Sequence, residues 1–469
     1  MESEAIPGGT DDFRDSFSTI NKEGDRAWIY PKKPKGRYYN KRTIVSIVLL
    51  ALMFGGPFMK INGHPLMLFN VLQRKFIVFG VPFWPQDFFL FVLAMLTFFV
   101  FIILFTAIFG RVWCGWACPQ TIFMEMLFRR IEYAIEGDYM QQKALKKSDW
   151  TSEKIRKKLL KHFIFFILAF LIANTFLAYI IGIDHVKLLV TDGPAAHLGG
   201  FVALVVFTAV FYGVYARFRE QACLVVCPYG RLQGVLLDRN SVVIAYDYVR
   251  GEPRGKIHKK EERILGDCID CHQCVHVCPT GIDIRNGTQL ECVNCTACID
   301  ACDDVMDKVG FDKGLIRFTS ENSITNKEKF KITSRVIGYS AVLLILLVTL
   351  ITLLALRTDV ETTILRTPGQ MYQKVDGGKI SNLYNIQLVN KTFNDLPIEI
   401  RLNSPAGDIQ FVGPEPSLLK QDAVVEGVFF VVLHQEDIVK VKTPVTINII
   451  SNGRVLDEIK TNFLGPNTN

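Results

Sequence analysis

The chain predicts a multi-domain membrane protein with five transmembrane α-helices, a small cysteine-rich α+β insert and a C-terminal β-sandwich. Three observations predict it. Hydrophobic residues make up 49% of the 469 residues, Phe alone accounting for 35, and they collect in runs close to the roughly 20 residues that cross a bilayer. Two runs of four cysteines, at 268–278 and 292–302, repeat one spacing. Beyond residue 357 the long apolar runs give way to short alternating segments separated by Asn, Gly and Pro, as in a small β-sandwich.

The spans are expected at 43–61, 87–110, 162–183, 198–218 and 336–356. Gly55-Gly56-Pro57 lies inside the first and predicts a kink there. The apolar stretch between the first two, ending in Val81-Pro-Phe-Trp-Pro85, suits an outer interface, where Trp and Phe are stable. Strands are expected at 384–390, 398–403, 424–433 and 445–450. The first forty residues are polar and show no cleavable signal pattern.

The net charge of +7 is explained by topology rather than by nucleic acid. Lys32, Lys33, Lys35, Arg37, Lys41 and Arg42 precede the first span. The 111–161 loop carries Arg129, Arg130, Lys146, Lys147 and the run Arg156-Lys-Lys158, whereas the 184–197 loop carries Lys187 alone and the 62–86 loop Arg74 and Lys75. Positive charge stays inside, so the N-terminus and every cysteine are expected in the cytoplasm. Five crossings then put the C-terminus outside. The domains follow: a tail, 1–42; a four-helix region with the first C-x3-C-P motif, 43–218; a cytoplasmic region, 219–335, with the second motif and a ferredoxin-like domain near 260–310; a fifth helix, 336–356; and the outer domain, 357–469.

All twelve cysteines fall into four groups at ligand spacing, which argues against a secreted disulfide framework. Thiolate ligands also imply a reducing compartment. Cys268-x2-Cys271-x2-Cys274-x3-Cys278-Pro279 is the bacterial ferredoxin run, and Cys292-x2-Cys295-x2-Cys298-x3-Cys302 repeats it. In such pairs the fourth cysteine of each run serves the other cubane. This assigns Cys268, Cys271, Cys274 and Cys302 to one [4Fe-4S] cluster and Cys292, Cys295, Cys298 and Cys278 to a second. A pair of zinc sites explains the doubled spacing poorly. Asp303 replaces the Pro usual after Cys302, placing a charge beside that cluster. His272 and His276 read as loop residues.

Cys114-x3-Cys118-Pro119 follows the second span and Cys223-x3-Cys227-Pro228 the fourth, an internal repeat of two helices and a motif. Pro favours the first helical position, so Cys118 and Cys227 are expected at helix N-termini, where the dipole favours thiolate. Residues 121–134 are expected to lie as an amphipathic helix on the membrane surface. The four thiols are candidates for a soft ion such as Cu(I), for a third cluster, or for disulfide exchange. Met124 and Met126 suit packing better than ligation. On the outer side His64, His185 and His197 read as ordinary loop histidines, and no facing pair suggests haem b. Gly8-Gly9 and Gly199-Gly200 are loop glycines rather than phosphate loops.

Residues 110–122 (GRVWCGWACPQTI), the doubled ferredoxin run, residues 302–310 (CDDVMDKVG), 83–87 (FWPQD) and 314–318 (GLIRF) resemble the FixG/CcoG family of cbb3-type cytochrome c oxidase accessory proteins. The resemblance covers nearly the whole chain and implies an Ig-like fold for the C-terminal sandwich. It also implies an oxidoreductase, a cupric reductase that converts Cu(II) to Cu(I) for oxidase assembly. Its partners would be a cbb3-type oxidase or its copper-delivery factors, a cytoplasmic electron donor and membrane lipid, with no nucleic acid. Cys114, Cys118, Cys223 and Cys227 are the candidate copper-binding or redox thiols. Two other readings stay open: a quinone-coupled electron-transfer subunit of the NapH/NosR kind, and a non-enzymatic copper chaperone or assembly scaffold.

Overall fold

The computed structural model describes residues 19, 25–61, 63–71, 75–193, 195–257, 265–329, 331–369, 371–421, 423–438 and 440–466. Gly8, Gly9 and Arg74 lie outside them. Among the described residues, five helices are long and apolar enough to cross a membrane: Arg37–Phe58, Phe88–Phe109, Ser152–Ile181, Leu198–Phe218 and Ser334–Ala355. The first starts earlier than its apolar run because Asp300 caps it from afar. The Asp300 carboxylate accepts from the Tyr38 amide at 3.1 Å and the Tyr39 amide at 2.8 Å, satisfying donors that a helix start leaves open. The third starts earlier because Thr151 Oγ1 accepts from the Lys154 amide at 3.3 Å. Its first turns are polar, which hydropathy alone leaves out.

The first helix ends at Gly55 and passes into a 3-10 turn, Gly56–Phe58, with Pro57 inside it. Tyr179 of the third helix donates to the Met53 carbonyl at 3.0 Å. A Cβ on Gly56 would lie 2.1 Å from that hydroxyl, so only glycine lets the two helices approach here.

The chain divides into two compact units, 1–68 with 93–347 and 69–92 with 348–469. In the first unit Phe123, Phe128, Phe165, Ile172 and Tyr215 share one buried core. The Phe128 ring stacks on Tyr215 with centroids 4.4 Å apart and meets Phe165 edge-on at 4.8 Å. Residues 119–135 do not form the surface-lying amphipathic helix expected. They run as Pro119–Thr121, a π-helical stretch Ile122–Phe128, and Arg129–Ile135. Ile122, Phe123, Met124, Met126, Phe128, Arg129 and Glu132 are all buried. The polar side of this helix can enter the interior because Arg219 and Glu125 neutralise its charges.

The cysteine-rich region folds around helices Gln273–His276 and Ala297–Val309. Strand Val243–Tyr246 pairs antiparallel with Ile316–Thr319 beneath them. These strands lie beyond the 260–310 stretch that the cysteines mark, which shows why cysteine spacing alone underestimates the domain. Ile244, Ile284, Ile299, Met306, Leu315 and Ile316 form its core.

The second unit carries a two-sheet β-sandwich. One sheet runs Gly407–Phe411, Val424–His434, Lys379–Asn390, Val360–Arg366, with Gln373–Val375 also on Lys379–Asn390. The other runs Glu399–Ser404, Lys442–Ser451, Arg454–Leu464. Tyr384 lies opposite Phe429 in the first sheet, and both pack with Ile447 and Phe463 of the second at essentially zero exposure. Alternation made four of these strands legible. Arg454–Leu464, with Glu458 and Lys460 exposed on one face and Asp457 also in its length, carries too much charge to read as a strand alone.

Candidate iron–sulfur centres

The two ferredoxin runs repeat in backbone as well as in spacing. Asp270, His272, Asn294 and Thr296 all take left-handed φ values, 53°, 56°, 52° and 69°. They occupy the same two places in each C-x2-C-x2-C loop. This conformation is costly outside glycine, and in the first loop Arg285 offsets it. Its buried guanidinium reaches Asp270 Oδ1 at 2.5 Å, Asp283 Oδ2 at 2.6 Å and His272 Nδ1 at 2.8 Å. No local pattern marks Arg285; its role appears only once the loop is folded. His272 lines the first run's cavity and faces Arg285, and the His276 carbonyl accepts from the Lys32 amide at 2.7 Å.

The loops line two cavities. One is lined by Cys268, Cys271, Cys274 and Cys302 with Tyr246, Met306 and Ile316. The other is lined by Cys278, Cys292, Cys295 and Cys298, with Cys274 between the two. Cys302 and Cys278 have thus each crossed to the other run's cavity. Burial pushes the Cys274, Cys292 and Cys302 thiols up to about 12, so they ionise only against a cationic partner. Asp303 accepts from the Gly314 amide at 3.0 Å and adds to the upward push on Cys302. Thiol donors in a mostly apolar wall fit a cubane, whose irons each take one cysteine.

The two C-x3-C-P motifs also match in backbone. Gly110 and Arg219 each lie four residues before a first cysteine, and each turns the chain with a left-handed φ, 57° and 55°. Cys118 and Cys227 each precede a helix that begins at Pro119 or Pro228. The Arg219 guanidinium donates to both oxygens of buried Glu132 at 2.8 Å, which holds this turn in place.

The four thiols lie within electrostatic reach of one another: Cys114 faces Cys118 and Cys227, and Cys223 faces all three others. Burial pushes Cys114 up to about 11 against the pull of Arg111, and Cys223 up to about 12. The Cys114 thiol donates to Gln233 Oε1 at 2.9 Å, and Gln233, wholly buried, donates in turn to Thr106 Oγ1 at 3.3 Å. Arg111 Nε reaches the same Gln233 oxygen at 3.3 Å, and its guanidinium also donates to the Leu290 carbonyl.

This first motif is built against the ferredoxin loop. Cys114 packs with Val277, Val293, Cys295 and Ala297. A Cβ on Gly115 would lie 2.4 Å from the Val293 carbonyl oxygen. Arg42 of the first helix donates to the Gly115 carbonyl at 2.6 Å. A further hollow opens between Cys223, Met124, Glu125, Glu220 and the Pro279-Thr280 chain that follows Cys278. Met126, by contrast, points to Arg130 at 3.8 Å. His197 faces Asp192 at 3.3 Å, in an exposed loop. Among the described residues no three His, Cys, Asp or Glu side chains come together closely enough to hold a single metal ion.

Residues 350–466 match the family model described as the IG-like fold at the C-terminal of FixG. Residues 218–321 match a 4Fe-4S dicluster domain, and residues 91–136 a 4Fe-4S binding domain. Protein RdxA of Cereibacter sphaeroides is 33% identical over 408 residues, 81% of this chain and 83% of that one. The chain belongs to the FixG family. Protein RdxB of the same organism is also 33% identical, over 81% of this FixG-family chain and 82% of its own length. Nitrogen fixation protein FixG of Rhizobium meliloti is 38% identical over 306 residues, which span 63% of this chain and 57% of that one. The family, the spans and the dicluster match make this chain a membrane iron–sulfur electron-transfer protein.

Proposed function

We propose that this chain reduces Cu(II) to Cu(I) during assembly of a cbb3-type cytochrome c oxidase, as a cupric reductase of the bacterial inner membrane. In this reading the N-terminus and all cysteine sites are cytoplasmic and the C-terminal sandwich is periplasmic, where it would meet the oxidase or its copper-delivery factors. Cys268, Cys271, Cys274 and Cys302 would hold one [4Fe-4S] cluster, and Cys292, Cys295, Cys298 and Cys278 the other. When bound, these clusters supply one-electron transfer, which suits a substrate that takes up one electron.

The hollow beside Cys223 carries the copper reading. Its Met124 thioether and its Glu125 and Glu220 carboxylates are donors that can accept copper in both oxidation states, the thioether favouring Cu(I), and the Cys223 thiol lines the same hollow. Glu220 and Glu125 already face Arg129 at 3.5 and 2.8 Å, so the hollow is close to charge balance before an ion enters. Pro279 and Thr280 line it directly after Cys278, which keeps the substrate next to a ferredoxin ligand. Anaerobically reduced protein in detergent is mixed with Cu(II), and cluster absorbance is followed. Reoxidation with one Cu(I) formed per electron is expected. Protein that stays reduced in Cu(II) but is reoxidised by a quinone overturns the reading.

That outcome would favour the quinone-coupled alternative, for which one observation speaks. Tyr212 of the fourth span and His162 Nδ1 of the third lie 2.9 Å apart in an exposed hydrogen bond, and polar pairs within spans are often functional.

A further inference from the structure

We infer that Cys114, Cys118, Cys223 and Cys227 together hold a third [4Fe-4S] cluster, two ligands from each C-x3-C-P motif. The inference deepens the electron-transfer reading above, on which it rests, but it is independent of copper being the substrate.

Four observations carry it. The 91–136 segment that matches a 4Fe-4S binding domain contains two cysteines, Cys114 and Cys118. A cubane takes four, so a cluster there needs two thiols from elsewhere. The 218–321 dicluster match contains ten cysteines. Two cubanes consume the eight that line the ferredoxin cavities, and Cys223 and Cys227 remain.

The fold brings these two remainders together. Val293 packs against Cys114 and also lines the hollow beside Cys223, a Cβ on Gly230 would lie 2.9 Å from Arg111 Nη2 and 3.0 Å from the Cys223 carbonyl oxygen, and Cys114 and Cys223 each sense the charge of Cys118 and Cys227. Both motifs enter through a left-handed residue four places before the first cysteine and leave through a helix that starts at Pro. Two claws of the same shape supply a symmetric set of two plus two, unlike the three plus one of the ferredoxin runs. A two-coordinate ion would need one claw and gives no reason for the second.

Finally, the walls are prepared: Gln233 is fully buried against Cys114, Thr121 bonds Cys223, and Cys114 packs with Cys295 of the neighbouring cavity. Coordination would release the thiol protons as iron binds.

The test is iron and acid-labile sulfide per chain in full-length protein, purified anaerobically in detergent and reconstituted with iron and sulfide. The expected values are about twelve of each, against about eight for two cubanes. Cys114→Ser with Cys223→Ser should lose about four irons while the EPR signals of the ferredoxin pair persist. About eight irons in the wild type overturns the inference, whether the four thiols are then found free or carrying copper. If the double variant does not fold, the wild-type ratio decides alone. The copper reading fails separately: twelve irons without Cu(II) reduction removes the substrate and keeps the cluster, and eight irons with Cu(II) reduction does the reverse.

Discussion

Arg219 and Glu132 form a two-point ion pair, both bonds 2.8 Å long and both side chains almost wholly buried. The pair joins the end of the fourth span to the helix after the first C-x3-C-P motif. It also fixes the left-handed turn from which Cys223 is presented. Lys161 adds a second cation at 3.7 Å from Glu132.

Glu132→Gln should therefore cost about 3–5 kcal/mol, because it leaves the buried Arg219 guanidinium with only Glu220, at 3.6 Å, as counter-charge. Burial alone would raise the Glu132 carboxyl, but Arg219 and Lys161 outweigh it and hold the group below the ordinary carboxylate range. Its contribution is then fully present above the unfolded value of about 4.3 and lost as pH falls through the depressed folded value. Thermal unfolding in detergent should show that acid loss in the wild type and a flatter acid limb in the variant. Equal slopes would mean that Glu132 is not the group responsible.

Gly115→Ala tests whether the first motif is seated on the ferredoxin loop. The new Cβ would stand 2.4 Å from the Val293 carbonyl oxygen, a backbone atom with little freedom to move. Overpacking of this kind costs about 1–3 kcal/mol. The displaced loop carries Cys292 and Cys295, so one iron–sulfur EPR signal should broaden or disappear while the other survives. A variant with unchanged melting temperature and both signals intact would show that the contact gives way harmlessly.

The spans and thiol spacings were legible because their signals are local. A run of apolar residues or a C-x2-C loop announces itself within a dozen positions. What positions the thiols is not local. Gln233 meets Cys114 across 119 residues, Arg42 meets Gly115 across 73, and Asp300 caps Tyr38 across 262. Each is an ordinary polar residue in its own neighbourhood. The burial of residues 119–135 was illegible for the same reason. A helix with Glu125, Arg129 and Glu132 on it reads as amphipathic until Arg219 and Glu220 arrive from far along the chain to neutralise it.

The second unit has its own ionic anchor. Asp87, at the foot of the second span, accepts from Lys391 Nζ at 2.6 Å and Arg357 Nη2 at 2.8 Å, with 3% exposure. Arg357 leads into the first strand of the sandwich, and Lys391 directly follows strand Lys379–Asn390. Asp87→Asn should destabilise this unit by about 3–5 kcal/mol, read as faster proteolysis of the C-terminal domain in the intact protein. Iron content should stay at the wild-type level, because the thiols belong to the other unit. Proteolysis at the wild-type rate would show the ion pairs to be dispensable.

Met124 separates a copper-binding role from a packing role. It is 3% exposed, lines the hollow beside Cys223 and belongs to the core with Phe123 and Phe128. Truncation to Ala would confound the two roles, since a cavity there would cost about 2–5 kcal/mol. Met124→Leu keeps the volume, at a cost below about 1.5 kcal/mol, and removes only the thioether that favours Cu(I). Cu(II) reduction by anaerobically reduced protein should slow several-fold while iron content and melting temperature change little. Met126→Leu, whose sulfur faces Arg130 instead, is the control and should reduce copper at the wild-type rate. If both variants match the wild type, copper does not use the hollow. If both slow equally, the effect is packing, and the thioether has no part in receiving the ion.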